Sequence, residues 1–346
     1  MSHWRTDPTF AMCRELAEGA ELSSFAGGPF DVRAVVAGIR PETKDGFLLG
    51  EIPWERFPQG DQVREAVHLL HTGDSSVSTG AGVVIGMCAN DMRAAAVLAV
   101  PFLIRIAADT RHPRRADALA EVPCPARARH FGVASRDQLL LYRGDNRQDA
   151  LYDDYDDYGI EVTGYPAGWS VAAARSAITA DTALLQPLLD DPDPVIRVRT
   201  AYALAVADDP DGKVRAAFGI RLATEQDPLV RAALILATAE ATRAHPHPRT
   251  TAWTRERWRD RTEMPGARLA AAIGWLCLTD EPAPTDLRTL TDTLTTDARA
   301  HTMDTLPWLS AAASSNETGL QRCVRESLHP EQPDPGTDDD PWAQSN

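Results

Sequence analysis

Asp193-Pro194-Val195-Ile196-Arg197 returns 34 residues later as Asp227-Pro228-Leu229-Val230-Arg231. Self-similarity at such a period predicts a stack of helix pairs, each burying its apolar face against the next rather than closing a core of its own. Each copy has the grammar of a helix start. An aspartate oxygen can cap the first turn, and proline fits the first helical position, where no N–H is needed. Downstream of the first start, Ile196, Thr200, Ala203, Leu204 and Ala207 fall on one helical face; Val230, Leu234, Ala237, Thr238 and Ala241 fall at the same offsets after the second. Between the two, Asp211-Gly212-Lys213-Val214-Arg215 opens another helix carrying Val214, Phe218 and Leu222. Leu184, Leu185, Leu188 and Leu189 stripe the helix before the first copy. Two helices per period follow.

Leu184-Leu185-Gln186-Pro187-Leu188-Leu189, followed by Asp190-Asp191-Pro192-Asp193-Pro194-Val195-Ile196-Arg197 and an alanine-rich helix, resembles a HEAT repeat of the PBS-lyase HEAT-like kind. The resemblance implies an all-α fold: an α-α superhelix with capping terminal segments and an irregular insertion. It also implies that Asp193, Asp227, Arg197 and Arg231 are cap and ladder residues, and that the concave face takes a partner. On this reading residues 1–60 cap the array, with Trp54 and Phe57 covering its first face, and 61–122 hold the first HEAT-like helices. Residues 123–168 are the insertion, 169–328 the main array, and 329–346 a disordered acidic tail with Pro330, Pro333, Pro335, Pro341 and Asp338-Asp339-Asp340.

The net charge is -15, and Lys44 and Lys213 are the only lysines among 35 basic residues. An acidic surface repels nucleic acid at long range and attracts basic partners. No apolar run approaches a membrane span, and Met1 to Phe10 lacks a secretory pattern, so a cytoplasmic protein with no membrane contact is expected. Cys13, Cys88, Cys124, Cys277 and Cys323 are odd in number and scattered, which implies neither a disulfide framework nor a zinc site. His68 and His71 sit one turn apart with no third ligand, as a solvated pair. Met92 to Ala107 reads as a buried helix kinked at Pro101.

Two segments carry candidate binding chemistry. Asp145 to Glu161 holds seven acidic residues against Arg147 alone. Tyr152, Tyr155 and Tyr158 are interleaved there with Asp153, Asp154, Asp156 and Asp157. On a helix the tyrosines would form one stripe flanked by carboxylates, a surface suited to a basic protein, as in an adaptor or an immunity protein facing a cationic toxin. The bland reading is a solvated acidic loop. Arg249 to Arg268 is locally basic and aromatic, and Trp253, Arg257, Trp258 and Arg261 are candidates for nucleic-acid binding. HEAT-like alkylpurine DNA glycosylases place such residues, with a carboxylate for which Asp260 is the candidate, on a concave face. The bland reading there is a packed helix.

Asp153-Asp154-Tyr155-Asp156-Asp157 also fits the aspartate-rich pattern that holds magnesium and diphosphate in helical terpene synthases, though no second metal motif follows it. No GxSxG, HExxH, GxGxxG or P-loop occurs, so no catalytic residue, metal or cofactor is assigned. The leading expectation is a non-enzymatic HEAT-repeat protein that binds a basic protein partner. A DNA-binding protein or glycosylase is the alternative, and a magnesium-dependent diphosphate enzyme is the remote one.

Overall fold

A computed structural model describes residues 7–73, 78–90, 94–127, 134–140, 164–244 and 246–329. No strand occurs among them. The chain forms two compact units. The first comprises described residues up to 127, together with 164–191 and 206–208; the second comprises 134–140, 192–205 and 209–329.

The first unit contains α1 (Ala11–Ala17), α2 (Val32–Ala37), α3 (Pro41–Asp45), α4 (Gly60–Thr72), α5 (Ser78–Asn90), α6 (Ala94–Ala108), α7 (Arg115–Glu121), α8 (Ala167–Ala180) and α9 (Thr182–Leu185). Its centre is α6, buried at every position from Ala94 to Ile104 because its apolar residues run round the whole helix. Helices α4, α5, α7 and α8 pack about it. The sequence places α6 well, Pro101 included. Trp54 and Phe57 are buried, and the Trp54 indole donates to the Leu49 carbonyl at 2.8 Å while packing 6.4 Å from the Phe102 ring. Gly60 opens α4 under Trp54, where a Cβ would meet the Trp54 carbonyl oxygen at 1.8 Å. Asp181 gathers Arg105 at 2.5 Å and Lys44 at 3.6 Å, and Asp191 takes Arg115 at 2.7 Å. His71 is not simply solvated: its ring stacks on Phe47 at 3.6 Å and faces His112 at 6.5 Å.

The second unit contains α10 (Pro194–Leu204), α11 (Lys213–Thr224), α12 (Pro228–Ala244), α13 (Pro248–Arg259), α14 (Pro265–Leu278), α15 (Thr285–Leu294), α16 (Asp297–Met303), α17 (Pro307–Ala312) and α18 (Gly319–Leu328). The duplicated motif builds α10 and α12. Asp193 accepts from the Val195 N–H, and Asp227 from those of Leu229 and Val230, as helix caps do. A third start, Met264-Pro265-Gly266-Ala267-Arg268, opens α14 with the same Pro-x-x-Arg frame but no aspartate. Helix α12 packs on both α10 and α14, while α11 lies against α12 and α13 against α14.

The arginines of the motif bridge successive pairs. Arg197 grips Glu225 through Nε and Nη2 at 2.9 and 3.2 Å, and Arg231 grips Glu263 through the same atoms at 3.1 and 2.7 Å. Such two-pronged contacts fix orientation as well as distance. The rung carboxylates are therefore Glu225 and Glu263, while Asp193 and Asp227 cap.

Inside this unit the long helices leave little surface. Ala232 to Ala237 of α12 are fully buried, and so is Glu240. The Trp308 indole at the start of α17 donates to Glu240 at 2.7 Å and meets Tyr202 of α10 edge-on at 4.7 Å. Gly319 allows α18 to start directly against α17, since a Cβ there would lie 1.8 Å from the Leu309 carbonyl oxygen. Residues 134–140 belong to this unit as well: Arg243 donates to the carbonyls of Arg136 and Leu140.

Candidate functional site

The basic-aromatic segment is α13 with the turn after it, and the structure separates its four candidates. Four-residue spacing along the helix puts Thr254 and Trp258 on the same, inner face, where Trp258 is buried and meets Trp275 of α14 edge-on at 6.4 Å. The Arg259 guanidinium covers the Trp258 ring at 4.8 Å. Trp253 is half-buried on the flank, and the Arg257 guanidinium lies 5.5 Å from its ring centre. Arg257 also holds Glu263 at 2.9 Å, so it joins the rung that Arg231 makes. Arg261 is exposed. The structure thus brings Trp253 and Arg257 together, leaves Arg261 on the turn, and takes Trp258 into the core.

Charge explains the arrangement. Burial pushes the Glu263 carboxyl up, but the Arg231 hydrogen bond, the Met264 N–H and the charges of Arg231 and Arg257 outweigh it, leaving the group below its ordinary value. Glu225 follows the same pattern: burial opposes ionisation, and the Asp227 N–H, Arg221 and Arg197 overcome it. Asp260 is surface-exposed and lies below its ordinary value because the Thr262 hydroxyl and N–H both donate to it. Its carboxylate organises the α13–α14 turn.

Several arginines elsewhere are also committed internally. Arg136 donates to the carbonyls of Leu276, Thr279 and Glu281, Arg268 to Trp258, and Arg288 to Ala283 and Leu328. Many carboxylates lie outside: Glu15, Glu18, Glu55, Asp61, Glu65 and Asp109 are exposed in the first unit, and Asp211, Glu256, Asp280, Asp286, Asp292 and Asp297 in the second. The outer surface is more acidic than a count of arginines suggests. Sequence reasoning missed the rung carboxylates, although a carboxylate shortly before each helix-starting proline, as at Asp191, Glu225 and Glu263, is a readable signal.

Tyr152, Asp153, Asp154, Tyr155, Asp156, Asp157 and Tyr158 lie outside the described residues, as does the acidic segment 329–346 beyond His329. Among the described residues no three His, Cys, Asp or Glu side chains come together as a metal-binding group. None of the five cysteines forms a disulfide, and burial raises the thiols of Cys13 to about 12 and Cys277 to about 11, which makes both poor nucleophiles. No helix among the described residues is long and apolar enough to cross a membrane. Comparison with protein-family models, with curated proteins and with solved structures finds no match for this chain.

Proposed function

We propose that this chain is a HEAT-like helical-repeat interaction protein whose partner is a basic protein. The observation that carries the reading is the division of charge. Many arginines are turned inward onto backbone carbonyls and rung carboxylates, and among the described residues exposed Asp and Glu outnumber exposed Arg and Lys on both units. A field of that sign raises encounter rates with cationic partners and disfavours polyanions. The HEAT-like assignment is supported by the paired helices α10–α14, their 34-residue start motif and the arginine rungs between successive pairs. The acidic tyrosine segment, Tyr152 to Tyr158, supplies contact area beside concentrated negative charge and is the proposed docking element.

The test is capture from host lysate with the full chain, identification by mass spectrometry, and binding kinetics with the purified partner. A basic partner is expected, with an association rate that falls steeply as salt rises and an affinity lowered at low salt by deleting 145–161. A partner of neutral or acidic charge with salt-independent association, or unchanged affinity after the deletion, overturns the proposal.

The nucleic-acid alternative keeps Trp253 and Arg261 at the surface but has Trp258 in the core and Arg257 on Glu263. Fluorescence anisotropy with plain and alkylated duplex decides it. Binding at low salt that is lost in Trp253→Ala and Arg261→Ala supports it; no binding removes it.

A further inference from the structure

A cleft of about 440 Å³ opens in the second unit where residues 135–137, the loop between α14 and α15, Arg288 of α15 and the end of α18 meet. Cavities of this size accept small ligands. Its polar lining is balanced. Two arginines, Arg136 and Arg288, and two acidic residues, Asp137 and Glu326, are among the residues that line it.

Both guanidinium groups are anchored and incompletely used. Arg136 commits Nε to the Leu276 carbonyl at 3.0 Å and Nη2 to the carbonyls of Thr279 and Glu281. Arg288 commits Nε to Ala283 at 3.4 Å and Nη1 to Leu328 at 3.2 Å. Each fork has five N–H donors, so Nη1 of Arg136 and Nη2 of Arg288 keep N–H groups without an acceptor among the described residues. The carboxylates match. Asp137 is exposed and has no hydrogen-bond or ion-pair partner among the described residues. Glu326 uses only Oε1, which takes Arg322 at 2.7 Å and Arg325 at 3.8 Å. Ser327, also in the lining, has a buried hydroxyl with no hydrogen-bond partner among the described residues.

We propose that this cleft binds a small zwitterion of the amino-acid class, with its carboxylate on the spare N–H groups of Arg136 and Arg288 and its ammonium on Asp137 and Glu326. A simple anion would meet two carboxylates and a simple cation two guanidinium groups. A molecule carrying both charges meets neither conflict. The carbonyls that hold Arg136 and Arg288 fix these forks before any ligand arrives, so little side-chain entropy is lost on binding.

The experiment is thermal unfolding of the full chain, followed by calorimetric titration, with the common free L-amino acids at millimolar concentration. Their N-acetyl and carboxamide derivatives, each lacking one charge, serve as controls. At least one free amino acid is expected to raise the unfolding midpoint in a saturable way, while neither derivative does, because only a ligand held by the folded state shifts it. Asp137→Asn, whose side chain is exposed and unpaired, is expected to unfold at the wild-type midpoint without ligand and to bind about tenfold more weakly. Arg288→Gln is expected to lose the shift altogether. The proposal fails if no free amino acid shifts the midpoint, if an N-acetyl derivative binds as well as its parent, or if Asp137→Asn binds as wild type does.

Discussion

Trp258 and Arg261 are three residues apart and lie in opposite environments, so substituting each separates packing from recognition. Trp258→Ala removes a fully buried indole from between α13 and α14 and is expected to cost about 3–5 kcal/mol in urea unfolding. Arg261→Ala, on the exposed turn, should stay within about 0.5 kcal/mol. A destabilisation of the two that is equal would contradict the placement of Trp258. His71 makes a pH prediction. Burial lowers its imidazole, and the charges of His112 and His68 lower it further. The folded state therefore favours the neutral ring: this contribution is complete above an unfolded value near 6.5 and declines as pH falls through 6.5 toward the lower folded value. Urea midpoints at pH 8 and pH 5.5 should differ less in His71→Phe, which keeps an aromatic ring on Phe47, than in the parent.

Among the elements, the arginine rungs hold successive helix pairs in register. Arg197→Met leaves Glu225 buried with Arg221 as its remaining side-chain partner, and is expected to cost about 2–4 kcal/mol. Glu225 and Glu263 both lie below the ordinary carboxylate value of 4.5. Their contribution is fully present above about pH 4.5 and is lost as pH falls through the folded values, so acid titration followed by circular dichroism should show Glu225→Gln with a shallower loss. Gly319→Ala should separate α18 from α17, because a methyl group cannot share space with the Leu309 carbonyl; loss of Trp308 fluorescence protection from quenchers reports it. The elements legible in sequence were those whose signals are local. Proline and a capping aspartate marked α10 and α12, and continuous apolar composition marked α6. The kinship of α14 with α10 and α12 was obscured because Met264 stands where the earlier copies have aspartate. The packed reading of Trp258 is the favoured one in sequence, since acidic residues dilute its segment and the net charge is negative, and its burial agrees with that reading. Arg136 was invisible as a site residue, since its partners at 276–281 are brought near only by the fold.

For the molecule as a whole, the excess of exposed carboxylates over exposed arginines among the described residues predicts that solution behaviour follows acidic groups. Binding to a basic partner should lose association rate as salt rises, with dissociation little changed, whereas Tyr155→Ala should raise dissociation and leave the salt slope alone. The same internal use of arginine in place of lysine leaves few side-chain amines. Lys44 keeps only 12% of its side chain exposed beside Asp181, whereas Lys213, at the start of α11, exposes 80%. Amine-directed chemistry, whether an acetyltransferase or a laboratory crosslinker, therefore meets one accessible lysine. Coupling at a lysine side chain would thus tether the protein through one point on the second unit, at the start of α11.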